Sequence, residues 1–66
     1  MPTCNHIADP DSVTIEADSP CLYDVTCELC SQGGAFCIVD VVKRGFEPVS
    51  HAHAVVLAAK LNLIDW

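Results

Sequence analysis

Positive charge is scarce in this chain. Lys43, Arg44 and Lys60 are the only basic side chains besides three histidines, set against nine acidic residues for a net charge of −6. A phosphate backbone or an anionic membrane surface is held by clustered Lys and Arg, so neither direct nucleic-acid binding nor membrane association is expected. Long apolar runs are missing too: the longest, Ala54 to Ala59, is far too short to span a bilayer. The opening "MPTCNHIADPD" has neither the basic nor the apolar region of a signal peptide, and the expected location is the cytoplasm. Only three glycines are present, with no phosphate-binding loop, and no serine, histidine and aspartate fall in a nucleophile motif. An enzyme is therefore not expected.

What the chain does have is five cysteines, an odd number that cannot be consumed by internal disulfides. In a reducing compartment, clustered thiols serve as metal ligands or catalytic groups more often than as bridges. The length points the same way. Sixty-six residues make one small domain, and ordering each residue costs roughly 1.5 kcal/mol, which so small a core offsets poorly. Domains of this size usually add a metal, a disulfide or a partner subunit.

The hydrophobic pattern predicts an α+β fold: a small three-stranded antiparallel sheet with one C-terminal helix, stapled by a structural zinc. "SVTIEA" (12–17) alternates, with Val13, Ile15 and Ala17 on one side. "CLYDVTC" (21–27) alternates again, with Cys21, Tyr23, Val25 and Cys27 together. "AFCIVDVV" (35–42) is β-branched and apolar, the pattern of a central strand. Ser50 stands at a helix N-cap position ahead of "HAHAVVLAAKLNLI", whose Ala52, Val55, Val56, Ala59 and Leu63 form a core stripe. The expected layout is an N-terminal ligand arm over 1–11, the sheet over about 12–43 and the helix over about 50–64. Leu57, Leu61 and Ile64 leave that helix apolar nearly all round. Either they border the core, or together with Trp66 they dock on another protein or on a second copy in a homodimer.

A tetrahedral zinc site takes four nitrogen or sulfur donors, usually as two close pairs. Cys4-x-His6 is one such pair and Cys27-x-x-Cys30 the other, and the twenty residues between them accommodate two strands. Cys21 and Cys37 compete for ligand places. Each sits in a predicted strand, Cys21 six residues before Cys27, roughly 20 Å along a strand. His51 could replace His6, but His51 and His53 diverge by about 200° at a helix start and cannot share one ion there. A redox role for Cys27 and Cys30 would place them at a helix N-terminus after a strand, whereas Ser-Gln-Gly-Gly and a strand follow them here.

The C-x-H … C-x-x-C order over residues 4–34 resembles that of small zinc-ribbon-like proteins, some encoded by bacteria and phages. The resemblance implies one structural Zn²⁺ on Cys4, His6, Cys27 and Cys30. In the usual ribbon knuckle a glycine follows the second cysteine, where this chain has Ser31. Three functional readings stand at this point. The first is a non-catalytic zinc-binding module that binds another protein through its apolar helix and sheet surface. The second is an acidic inhibitor or nucleic-acid mimic of phage type, with Glu16, Asp18, Asp24 and Glu28 occupying a basic site on a host enzyme. The third is thiol–disulfide exchange at the C-x-x-C pair.

Overall fold

Alternation of Tyr23, Val25 and Cys27 is the mark of a half-buried strand. In the computed structural model of the chain, which describes residues 4–66, all three side chains are buried along β2 (Leu22–Thr26) and the residue that follows it. β2 is central. β1 (Thr14–Ile15) pairs on one edge, with Thr14 opposite Asp24, and β3 (Gly33–Cys37) on the other, with Leu22 opposite Cys37 and Thr26 opposite Gly33; both are antiparallel. Residues 1–3 of the expected ligand arm lie outside the described residues.

The rest of the arm is tied to the sheet by its backbone. It runs along the same edge of β2 as β1, with Ala8 bridged to Cys27 and the Asp9 N–H donating to the Thr26 carbonyl at 3.0 Å. Between that bridge and β1 the register slips by three residues, the length of the 3-10 turn Pro10–Ser12. Asp9 caps this turn by accepting from the Asp11 N–H, and Pro10 supplies the preset backbone angle at its first position. Ser12 is drawn into it, donating to the Asp9 carbonyl at 2.7 Å and accepting from the Thr26 N–H at 2.9 Å. The expected strand over 12–17 is thereby cut to two residues, and Ile15 is exposed where an inward position was expected.

The larger departure is at 38–43. The apolar run expected to continue a central strand leaves the sheet after Cys37 and forms a helix, α1 (Ile38–Lys43). β2 has no more backbone to offer: the Cys21 carbonyl takes the Ile38 N–H at 2.8 Å, and the next residue back is Pro20, which has no N–H. With no ladder to join, the chain closes its own helical bonds against its β-branched propensity. Val41 becomes fully buried, while Val39 and Val42 face solvent.

The second helix, α2 (His51–Lys60), begins at Ser50, whose hydroxyl accepts from the His53 N–H at 3.1 Å. It ends earlier than expected because Asn62 adopts a left-handed conformation (φ 57°) and the Leu63 N–H returns to the Ala58 carbonyl at 2.9 Å. The face it buries is also turned from the expected stripe: Ala54, Val55 and Ala58 are buried, whereas Val56 and Ala59 are exposed. Two alanines on the inner face let the helix come close to the 3-10 turn and to α1, and they share the core with Tyr23 and Phe36 of the sheet. Leu57, Leu61, Ile64 and Trp66 are all half-buried, and Leu57, Ile64 and Trp66 pack against the same core.

That core is small. Its fully buried side chains are led by Val25, Val41, Val55 and Cys27, with no leucine or isoleucine among the buried described residues. Asp65 completes the free edge of β3 through two backbone bonds with Ala35, at 2.8 and 3.1 Å. This lays the Trp66 ring over Gly34, where an added Cβ would come within 2.5 Å of the indole. Among the described residues, no helix is long and apolar enough to cross a membrane.

Candidate metal centre

Cys4 and His6 come from the arm, and Cys27 and Cys30 from the turn that joins β2 to β3. The arm is held against that turn by its backbone: the Ile7 carbonyl accepts from the Glu28 N–H at 2.9 Å, one residue from His6. The turn is closed by the Ser31 N–H donating to the Cys27 carbonyl at 2.9 Å and the Cys27 N–H to the Gln32 carbonyl at 2.8 Å. Ser31 carries the turn round with φ 66°, the left-handed conformation that a glycine would adopt without cost.

The result is one cluster. Ligand atoms of Cys4, His6, Cys27 and Cys30 all lie within 4.8 Å of one another, an arrangement that could hold a metal ion. Cys4 Sγ is 3.8 Å from Cys27 Sγ, and Cys30 Sγ is 3.4 Å from His6 Nδ1. A tetrahedral ion with bonds of about 2.3 Å to sulfur and 2.0–2.1 Å to nitrogen sets sulfurs about 3.8 Å apart and sulfur and nitrogen about 3.6 Å apart. The two observed edges fit that figure without rearrangement.

Electrostatics at the cluster are those of crowded thiols. Cys27 is buried to 1% exposure, which opposes its ionisation. Hydrogen bonds from His6 and from the N–H groups of Ile7, Cys30 and Leu29 outweigh that burial and bring its pKa down to about 5. The Ile7 and Leu29 N–H groups both stand 3.4 Å from its sulfur. Cys4 moves the opposite way, pushed up to about 12 by hydrogen bonding to Cys30, by burial, and by contact with Cys27. Three thiols in contact cannot all ionise without a cation between them. A divalent ion held among them would remove that conflict.

On one side the cluster is covered by Trp66, whose ring lies 4.9 Å from the His6 ring at an interplanar angle of 30°. The Gln32 side-chain amide donates to the Trp66 carbonyl at 2.9 Å, so the same turn that carries Cys30 also anchors this cover. Nothing in the sequence pattern marks Trp66 as a neighbour of His6; its placement follows from the Asp65–Ala35 bridge and the bare backbone of Gly34.

The competing donors are elsewhere. Cys21 and Cys37 are not in the cluster but neighbour each other at the opposite end of β2. His51 meets the Tyr23 ring edge-on at 5.5 Å, and His53 Nδ1 accepts from the Val49 N–H at 3.0 Å. Comparison of the chain with family models, with curated proteins and with solved structures gives no match.

Proposed function

We propose that the protein is a small non-catalytic module stapled by one structural zinc on Cys4, His6, Cys27 and Cys30. The observation that carries this reading is the convergence of three sulfurs and an imidazole within 4.8 Å of one another, two of their separations at tetrahedral spacing, between the arm and the β2–β3 turn. Four protein donors leave no position open for water, the arrangement of a structural rather than a catalytic ion. Zinc suits this thiolate-rich donor set. In small domains, binding it contributes about 10 kcal/mol to folding, on the scale of a whole domain's stability. The small core gives that contribution a purpose. Thiol–disulfide exchange at the C-x-x-C pair is disfavoured by the burial of Cys27 and by the strand, rather than a helix, that follows Cys30.

The module's task is to bind another protein. Ile7, Val56, Ile64 and Trp66 line a groove of about 340 Å³ between the arm and α2, beside His6, with Lys60 at its rim. Self-association that Val56→Asp abolishes would make the partner a second copy; a monomer at all concentrations would exclude a second copy. A second reading keeps the acidic surface in play. Glu16, just after β1, lies beside Asp24 of β2, and this contact with a like charge raises the Glu16 pKa. Partner binding that weakens steeply with salt would favour this acidic face, while indifference to salt favours the groove.

Metal content and folding test the main reading together. One zinc per chain is expected, and excess chelator should abolish the cooperative unfolding transition seen by circular dichroism, with a change in the emission of Trp66, the only tryptophan. A cooperative transition that survives in metal-free protein would overturn it.

A further inference from the structure

A second thiol pair occupies the other end of β2. Cys37 lies directly opposite Leu22, and the Ile38 N–H donates to the Cys21 carbonyl at 2.8 Å, so Cys21 and Cys37 are offset by a single residue across the hairpin. Strand spacing of about 5 Å and a rise of about 3.4 Å put their Cα atoms roughly 6 Å apart, within the usual disulfide span. In a regular ladder an offset of one residue sends side chains to opposite faces. Here the ladder is ending: Cys21 belongs to the turn leading into β2, and Cys37 is the residue from which α1 departs. Cys21 lies outside the strand, where alternation does not fix its direction, and the two thiols are close enough for Cys37 to act on the ionisation of Cys21. That proximity, the repulsion between the two sulfurs and burial raise the Cys21 thiol above its ordinary value.

Nothing joins them to make a metal site. Among the described residues, only the cluster around His6 gathers three or more potential ligands. Cys21 is exposed and Cys37 half-buried, so a small reagent reaches the pair from solvent.

We propose that Cys21 and Cys37 form a reversible dithiol–disulfide couple, closed by a low-molecular-weight disulfide and separate from the metal centre. One cysteine, as its thiolate, attacks a sulfur of the reagent, breaking the reagent's S–S bond and expelling one of its halves as thiolate. The second cysteine, also as thiolate, then attacks the protein sulfur of this mixed disulfide, forming the Cys21–Cys37 bond and expelling the other half. Two electrons pass from the protein to the reagent, and the two protons lost by the cysteines end on the two released thiols. The bond ties the start of β2 to the β3–α1 junction, closing the hairpin at the end opposite Cys27 and Cys30.

The test is oxidised glutathione added to the metal-loaded chain, followed by alkylation of remaining thiols and peptide mapping. The expected product has lost two hydrogens, carries a peptide cross-linked through Cys21 and Cys37, keeps its metal, and returns to the starting mass with dithiothreitol. Cys37→Ser should stop at a single glutathione adduct on Cys21. Recovery of both cysteines as alkylated thiols, separate adducts on each without a bridge, or a bridge through Cys4, Cys27 or Cys30 would overturn the proposal. Bridge and metal are read by different measurements, so failure of the zinc reading would leave this result standing.

Discussion

The two ends of β2 carry the same chemistry in different settings. At its C-terminal end Cys27 is buried, receives backbone N–H groups, and faces two further thiols and an imidazole. At its N-terminal end Cys21 is exposed and faces one thiol, with the carboxylate of Asp40 adding to the repulsion that keeps it protonated. Donor number and local field separate the two pairs, not the residue type. Four donors with N–H support favour thiolates and a cation; two donors are too few to hold an ion and can be joined by a two-electron oxidant.

Removing Cys27 should have the largest effect. Cys27→Ser takes out the only member of the cluster that is also buried in the core, and the expected result is loss of both metal and the cooperative transition in circular dichroism. Acid should act next, because protons compete with the metal for thiolates. Cys27 is held at about 5 against 9 for an ordinary thiol, so its contribution is fully present above 9 and disappears as pH falls through about 5. Metal content measured after dialysis should be complete at pH 7 and lost below about pH 5. Gly34→Val drives a side chain into the Trp66 ring, costing about 1–3 kcal/mol in a denaturant titration, with a shift in tryptophan emission and the metal retained. Ser31→Gly relieves the left-handed serine and should raise stability by about 1 kcal/mol. Cys21→Ser is the smallest, a change of less than about 4 °C in thermal midpoint, with metal content unchanged. A Cys21→Ser chain as damaged as Cys27→Ser would erase the contrast between the two ends.

Much of this was legible in local pattern. The alternation around Tyr23 and Val25, the cap at Ser50 and the two close donor pairs each depend on residues within a few positions of one another. What could not be read that way depends on where a neighbour stops. The run from Ile38 to Val42 has the composition of a strand and is a helix because β2 gives out at Cys21 and Pro20. The inner face of α2 is set by Ala54 and Ala58, whose small size matters only once its neighbours, the 3-10 turn and α1, are known. Cys21 and Cys37 read as competitors for ligand places until the hairpin register set Cys37 opposite Leu22, one residue from Cys21. Trp66 reaches His6 through a bridge to β3 that no periodicity announces.

The most direct measurement is native mass spectrometry of the chain purified without chelator, paired with alkylation before and after metal removal. The account predicts one zinc per chain and two reactive thiols, Cys21 and Cys37, with Cys4, Cys27 and Cys30 becoming reactive only once the metal is taken away. A folded, metal-free chain in which Cys27 and Cys30 react as readily as Cys21 would contradict it.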